Sequence, residues 1–475
     1  MAQQTTNASH STRPLGVTVM PEWFACEGVD AVLDRVQSIG ATAIATSPYV
    51  LEPVAEGKGG REPPIDGGAG HVRPLDRALF GLRALWVRTE PSFEHDFERY
   101  AGLRYQPARA GALTRRQGDV LDRALENAAS RNIEVLLQVM AASPPGYRVQ
   151  FSGAHADDQC LGPDGATVAD RVDRNASLAS PHVRAYVAEL CAELAERYPS
   201  VAGFRLDWPE YPPYRFRSAL FDFHPDAQAL MVAQGNDPRV VARDVGASVT
   251  TLRQALRTAI ANGDAAVRAV FARRPWLALF ESHGPLAPLF ASKRDAVTGL
   301  LHAVRTRLGA VSGSRRRLEA QAFPPPFHTI SGFPLDRLQG FVDAVGIKLY
   351  TMHWPMIARA WAQDLIEETS GTAVDVVTAA VAEAFDFVDG AVDGALLRYP
   401  EPHEAHPVSA RAQRAKIAEA SASAGGVSTI AFAHTYGPLD DVLARFAIAV
   451  STGRPVWLNR YGYLSDAKLK ALAAP

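Results

Sequence analysis

The sequence predicts a (β/α)8 barrel, an α/β fold of the TIM barrel type, with a large helical insertion between strands 4 and 5. Eight short apolar segments with the composition of buried strands recur along the 475 residues, and helical patterns separate them. The first unit has the strand–helix–strand order that pairs parallel strands through a right-handed crossover. A doubly wound sheet would carry a glycine-rich turn after its first strand, where this chain has Met20-Pro21-Glu22.

The predicted strands follow one another along the whole chain. They are residues 15–20, 41–46, 133–140, 202–207, 318–323, 344–350, 428–434 and 455–459. Apolar spacing of three and four residues predicts the helices between and after them. These are residues 29–39, 114–131, 181–197, 247–262, 264–273, 296–308, 335–341, 356–387, 410–424, 439–451 and 465–472. The clearest start signal is Ser180 followed by Pro181, an N-cap with proline at the first helical position.

Domain organisation follows from the spacing of these elements. Residues 1–13 are polar and predict a disordered tail, and residues 14–475 predict one barrel domain. A Gly/Pro-rich loop covers residues 52–74, and residues 79–107 predict an irregular excursion rich in aromatic side chains. The almost entirely helical stretch 217–312 predicts an insertion packed on the barrel.

The overall composition indicates which classes of binding partner the chain can have. The chain has 49 Lys and Arg against 51 Asp and Glu, which gives no basic footprint for nucleic acid or for a membrane surface. No apolar run approaches the roughly 18 residues that span a bilayer. The N-terminus is not a secretory signal, and Cys26, Cys160 and Cys191 lack metal-ligand spacing. We expect a cytoplasmic protein with a small-molecule or oligosaccharide substrate and no cofactor or metal. Homo-oligomerisation is left open.

The most informative stretch is residues 202–214, which opens as a buried strand. Alternation along that strand places Arg205 and Asp207 on one face, and Trp208 and Glu210 follow at once. Charges removed from water must be paired or used. This pattern predicts the floor of an active site. The alternative is a structural Arg205–Asp207 ion pair inside the barrel.

Polar and aromatic side chains recur at nearly every predicted strand end, where a (β/α)8 barrel carries its chemistry. Aromatic rings that alternate with hydrogen-bonding groups suit a sugar, whose C–H face stacks on a ring while its hydroxyls bind polar partners. Taken singly, Trp354, Tyr436 and Tyr461 fit rim packing better than they fit stacking on a sugar. The predicted substrate-binding residues are Glu22, Trp23, Tyr49, Gln138, Arg205, Trp208, Gln321, Lys348, Tyr350, His353, Trp354, His403, His434, Tyr436, Asn459 and Arg460.

A second informative segment is residues 398–407, which three prolines stiffen. Glu401, His403, Glu404 and His406 are crowded into six positions. One interpretation is a rigid loop that presents a carboxylate and an imidazole to the pocket. A metal site and a solvated loop are the alternatives.

The strand Gly203-Phe-Arg-Leu-Asp207 resembles the strand-four motif of the α-amylase superfamily of glycoside hydrolases. The wider segment 180–212 is similar to barrel proteins related to glycoside hydrolases. The resemblance implies that Asp207 is the catalytic nucleophile and that Arg205 holds it ionised.

The predicted function is therefore that of a glycoside hydrolase that cleaves a glycosidic bond with two carboxyl groups. Asp207 is the first, and Glu210 is the acid because Trp208 and Tyr211 supply an apolar surround. Glu401 is the reserve candidate for the acid.

Two other functions fit the sequence. One is a metal-dependent barrel enzyme, a sugar isomerase or hydrolase, with ligands drawn from Glu22, Asp207, His403, His406 and His434. The other is a carbohydrate-binding barrel without catalysis.

Overall fold

The computed structural model describes residues 14–62, 72–147, 153–167, 175–272, 284–313 and 315–473. The predicted tail, residues 1–13, lies outside them. Eleven strands are present in these ranges: β1 Leu15–Thr18, β2 Ala43–Thr46, β3 Tyr49–Val54, β4 Gly60–Glu62, β5 Leu85–Pro91, β6 Glu134–Met140, β7 Gly203–Asp207, β8 Arg317–Ala322, β9 Ala344–Leu349, β10 Ser428–His434 and β11 Val456–Asn459.

Eight of these strands close into a parallel barrel, which confirms the predicted fold class. Going round the barrel the order is β1, β2, β6, β7, β8, β9, β10 and β11, and β11 pairs again with β1. The register sets Gln138 of β6 beside Arg205 of β7, and Arg205 beside Glu319 of β8. The carboxyl ends of all eight strands therefore meet at one mouth, where Asp207 lies.

A three-stranded antiparallel sheet stands beside the barrel, and its strands β3, β5 and β4 were not predicted. The sequence predicted a loop for residues 52–74 and an irregular excursion for 79–107, and this was wrong for β4 and for β5. Leu85, Val87 and Pro91 of β5 are buried. The partners β3 and β5 are about 30 residues apart, so no tight-turn signal joins them.

Helices cover the barrel. The α-helices are Pro21–Glu27, Val29–Ser38, Ala112–Gln117, Asp119–Ser130, Pro181–Arg197, Phe216–Ala219, Pro225–Ala233, Pro238–Ala261, Asp264–Ala272, Ala287–Gly309, Phe327–Ile330, His353–Ile366, Thr372–Ala384, Ala410–Ser423, Leu439–Ser451 and Asp466–Leu472.

Two long predicted helices are each divided in two. The predicted helix 114–131 is interrupted at Gly118, where a Cβ atom would overlap the Ser92 carbonyl. The predicted helix 356–387 breaks after Ile366, because Glu367 adopts a left-handed backbone conformation with a φ of 60°.

The described part of the segment between β7 and β8 is mainly helical, as the sequence predicts. Its last helix, Ala287–Gly309, packs against Pro181–Arg197. Arg184 donates to the Ala296 carbonyl, and Arg307 pairs with Glu189 at 2.7 Å. This helix therefore belongs to the layer that surrounds the barrel. The treatment of the whole stretch 217–312 as an insertion stays a prediction, as does the single domain 14–475.

The barrel interior below the mouth is filled by aromatic and charged side chains. Phe432 and Trp457 stack at 6.0 Å between ring centroids, and the Arg205 guanidinium lies 3.6 Å from the Trp457 ring centroid. Gly16 makes room for this packing, because a Cβ atom there would overlap the Trp457 ring. Among the described residues no helix combines the length and apolar character needed to cross a membrane.

Candidate active site

The centre of the site is one ammonium shared by two carboxyl groups. The Lys348 Nζ atom, on β9, lies 3.6 Å from the Asp207 Oδ1 atom and 3.3 Å from the Glu210 Oε1 atom. Gln138 donates from Nε2 to the Asp207 Oδ2 atom at 3.2 Å. The structure thus brings together four residues from β6, β7, β9 and the turn after β7. The sequence predicted all four as site residues.

The two carboxyl groups differ in access to solvent. The Asp207 side chain is 17% exposed, whereas that of Glu210 is 1% exposed. Glu210 accepts hydrogen bonds from the Phe323 backbone N–H at 2.8 Å and from the Ser331 hydroxyl at 2.6 Å. Asp207 is therefore the member of the pair that a ligand at the mouth can meet.

Burial shifts the pKa of both groups upward. For Glu210 burial raises the pKa to about 7, although Lys348 and the hydrogen bond from Ser331 act in the opposite direction. Burial likewise raises the pKa of Asp207, against the attraction of Lys348 and a backbone hydrogen bond from Trp208. One carboxyl group of this pair can therefore hold a proton near neutral pH.

The Glu210 shift predicts how stability depends on pH. Between its ordinary pKa of 4.5 and about 7 the folded chain keeps a proton that the unfolded chain has released. The free energy of unfolding therefore falls as the pH rises through this window, by up to about 1.4 kcal/mol per pH unit. We expect urea unfolding at pH 5 and pH 8 to show a smaller decline for Glu210→Gln than for the wild type. Glu419→Gln, at an exposed position, is the control and should decline as the wild type does. An equal decline in Glu210→Gln would contradict the shift.

Arg205 is not the main partner of Asp207: its charge lowers the pKa of Asp207, as the prediction requires, but by less than that of Lys348 does. Arg205 donates to the Glu319 Oε2 atom from Nη2 at 2.7 Å and from Nε at 3.1 Å. Both side chains are buried inside the barrel, below the mouth. The Arg205 side chain is long enough to span the distance between neighbouring strands. It therefore reaches Glu319 on β8, the residue opposite it, and not Asp207 on its own strand. The nearest cation to Asp207 is Lys348.

Aromatic side chains continue the site from Asp207 across the mouth. Trp208 has a φ of 56°, a left-handed conformation that is uncommon for a bulky residue and typical of functional sites. Its ring lies 6.0 Å from that of Tyr214, and the Tyr214 hydroxyl is 3.2 Å from His353 Nδ1. Tyr350 lies 5.7 Å from His353. Trp208 and Tyr350 are half-buried, and the buried Tyr214 and His353 pack behind them.

Two other predicted residues, Asn459 and His434, contact Tyr350, and a separate predicted pair is formed by Tyr49 and Glu22. Asn459 donates to the Tyr350 hydroxyl at 3.0 Å, and the His434 ring lies 5.2 Å from that of Tyr350. Across the mouth the Tyr49 hydroxyl donates to Glu22 at 2.9 Å, and both are buried.

The segment 398–407 folds as a loop with mixed roles. Glu401, 41% exposed, pairs with the buried Arg73 at 3.3 Å. His403 is exposed, and Glu404 pairs with Arg398. His406 is buried beside Thr351, whose hydroxyl is 2.7 Å from its Nδ1 atom.

Four predicted binding residues are engaged elsewhere. Trp354 is buried and stacks on Phe387 at 5.3 Å. Trp23 packs edge-on against Tyr461, and Arg460 pairs with Glu62 at 2.6 Å. The Tyr436 hydroxyl donates to the Pro400 carbonyl. These side chains build the rim and are not brought to the carboxyl pair.

Three residues that touch the site were missed. Ser331 and the Phe323 backbone N–H bind Glu210, and Tyr214 joins Trp208 to His353. Tyr214 lies in the stretch 202–214 that the sequence marked as informative, so its position was a usable signal. Ser331 lies in a loop far along the chain, and nothing in its surroundings predicts contact with Glu210.

The ligand set predicted for the metal alternative is not gathered in the described ranges. Within them, the one group of acidic and imidazole side chains close enough to hold an ion is Asp158, His224 and Asp226. The His224 Nε2 atom is 3.0 Å from the Asp157 carbonyl, and Nδ1 accepts from the Asp226 backbone N–H. Both ring nitrogens are therefore already occupied.

One part of the chain matches a known protein family. Residues 85–208 match the model of the family Glyco_hydro_42, described as beta-galactosidase. The match begins with β5 and ends one residue after Asp207. The chain is thus a TIM barrel that is similar to a glycoside hydrolase family over these residues. None of the curated proteins compared with the chain matches it.

Two solved structures are similar to the chain at low identity. The beta-galactosidase from the psychrophilic Marinomonas ef1 is 13% identical with a TM-score of 0.37, over 71% of this chain and 41% of that one. The catalytic domain of beta-amylase from Paenibacillus polymyxa is 11% identical with a TM-score of 0.46, over 96% of this chain and 95% of that one. The chain thus spans about two fifths of the length of the beta-galactosidase.

Proposed function

We propose that the chain is a glycosidase in which Asp207 and Glu210 are the paired carboxyl groups. The observation that carries the proposal is the shared ammonium of Lys348, which lies within 3.6 Å of both carboxyl groups at the carboxyl end of the strands. Glycoside hydrolysis needs one carboxylate and one carboxylic acid on either side of the scissile bond. A single cation between two buried carboxyl groups favours that mixed state, because it stabilises one negative charge better than two.

The two groups take different roles. Asp207 is exposed to the mouth, and its carboxylate attacks or stabilises the positive charge that develops on the anomeric carbon. Glu210 has a pKa of about 7 and is protonated below neutral pH, as an acid that protonates the leaving oxygen must be. Lys348 lies within 3.6 Å of both groups and favours one negative charge on the pair, and we assign that charge to Asp207 because its side chain is the more exposed of the two.

Glu401 is the competing candidate for the acid. Glu210 must exchange one of its hydrogen bonds for the leaving oxygen, because Phe323, Ser331 and Lys348 occupy its two oxygens. Glu401 needs no such exchange, since its side chain is 41% exposed. Its carboxylate, however, pairs with the buried Arg73 at 3.3 Å and lies away from the Asp207–Lys348–Glu210 group on a different loop.

The substrate we propose is a β-galactoside or a related neutral glycoside. The family match supports a galactoside, and the half-buried rings of Trp208 and Tyr350 support a sugar ring that stacks. A screen of nitrophenyl glycosides, with the β-galactoside first, tests whether the chain is a glycosidase at all. A complete lack of turnover across the panel would reject the proposal.

Leaving-group dependence identifies the acid. We expect Glu210→Gln to lower kcat/KM by about 10²- to 10⁴-fold for an alkyl glycoside, whose leaving oxygen needs a proton. The same variant should lose far less with a dinitrophenyl glycoside, which leaves unprotonated. Steady-state kinetics on the two substrates measures the difference.

Glu401→Gln is the matched comparison for this experiment, and we expect similar losses on both substrates. If Glu401→Gln instead shows the leaving-group effect and Glu210→Gln does not, Glu401 is the acid and Glu210 only positions Lys348.

A further inference from the structure

Three neighbouring strands each present an acceptor oxygen that no described residue satisfies. These are Oε1 of Gln138 on β6, Oδ1 of Asp207 on β7 and Oε1 of Gln321 on β8. All three atoms are buried, and none accepts a hydrogen bond of good geometry within the described ranges. A buried acceptor without a donor costs free energy, so native proteins rarely keep several together.

The register places Asp207 and Gln321 at one level of the barrel and Gln138 two residues below them, on the strand next to Asp207. Gln138 lies opposite Arg205, and Arg205 lies opposite Glu319. Asp207 and Gln321 each follow two residues later on their strands, so they point to the same side at the same height. Gln138 reaches Asp207 from one strand away, at 3.2 Å.

The hydrogen bond between Gln138 and Asp207 fixes the orientation of the Gln138 side-chain amide. Gln138 must turn its Nε2 to the carboxylate, because an amide oxygen cannot donate. Its Oε1 atom is therefore an acceptor. The Asp207 Oδ1 atom is 3.6 Å from Lys348, which is beyond hydrogen-bond distance. The three oxygens of Gln138, Asp207 and Gln321 are therefore hydrogen-bond acceptors, and a ligand that binds them must supply hydrogen-bond donors.

We infer that Gln138, Asp207 and Gln321 form one subsite that binds a sugar through the O–H groups of its unsubstituted hydroxyls. The inference rests on the proposed function and adds how the substrate is recognised. Gln138 and Gln321 are specificity-determining residues. Gln138 is also a positioning residue, since its Nε2 holds the Asp207 carboxylate that faces the sugar.

Deoxy and deoxyfluoro analogues test the direction of these hydrogen bonds. Fluorine can accept a weak hydrogen bond but cannot donate one. Binding of galactose, glucose and their deoxy and deoxyfluoro analogues is measured by calorimetry, which needs no turnover. At the recognised positions we expect both kinds of analogue to bind about 10- to 100-fold more weakly than the parent sugar. Fluoro analogues that bind like the parent would overturn the inference, as would no binding of either sugar.

Replacing a glutamine should remove the discrimination. Gln321→Met is expected to bind the parent sugar as weakly as the wild type binds the matching deoxy analogue, and to bind that analogue with unchanged affinity. Gln413→Met is the control, since Gln413 is a buried glutamine on the helix Ala410–Ser423 with a similarly unsatisfied Oε1 atom. Undiminished discrimination in Gln321→Met would show that water alone satisfies Gln321.

The outcomes separate this inference from the proposed function. Sugar binding with the expected pattern but without hydrolysis of any glycoside would leave the subsite in place and reject the glycosidase. Hydrolysis without discrimination between hydroxyl and fluorine would support the glycosidase and reject the subsite.

Discussion

Asp207→Asn is expected to lower kcat/KM by about 10³-fold or more, while the free energy of unfolding changes by no more than about 1 kcal/mol. Asparagine has nearly the same shape as aspartate, and its side-chain oxygen can still accept the hydrogen bond from Gln138. It cannot carry the negative charge that faces the anomeric carbon. The loss should therefore fall on catalysis and spare the fold.

Steady-state kinetics and urea unfolding of the same preparations measure the two effects. Asp440→Asn, at an exposed position on the helix Leu439–Ser451, is the control and should change neither. Activity near the wild-type level in Asp207→Asn would reject Asp207 as the reacting carboxylate. A large loss of stability would show that its charge serves the fold.

Arg205→Met is expected to destabilise the fold by about 3–5 kcal/mol, because it leaves the Glu319 carboxylate buried without its bidentate partner. Arg317 also lies 3.2 Å from Glu319, which places the expected loss toward the lower end of this range. Chemical unfolding monitored by circular dichroism measures it.

Two further variants test whether the loss of stability in Arg205→Met comes from breaking the Arg205–Glu319 ion pair. Replacing both Arg205 and Glu319 with methionine should recover much of the lost stability, since no buried charge is then left over. Arg411→Met removes an exposed ion pair with Asp386 and should cost less than about 1 kcal/mol. A catalytic loss in Arg205→Met with unchanged stability would return Arg205 to the role of holding Asp207 ionised.

The barrel could be predicted because each of its strands is a short apolar run whose neighbour in the chain is usually its neighbour in space. The small sheet could not, since β3 and β5 pair across a Gly/Pro-rich stretch that reads as loop. Its strand β4 has only three residues, too few for an alternating pattern to show.

Alternation also predicted much of the candidate site. It correctly put Asp207, Lys348 and Gln138 on inward faces at the strand ends, and the structure brings these three together. It could not tell which charges pair, because long side chains reach across strands. Arg205 therefore pairs with Glu319 on the neighbouring strand β8, which alternation along β7 alone does not show.

Trp457, Phe432 and Arg205 fill the barrel beneath Asp207, and this packing limits the routes by which a molecule can reach or leave the mouth. Side chains packed in this way separate the mouth from the opposite end of the barrel. A molecule bound beside Asp207 therefore cannot leave through the barrel interior.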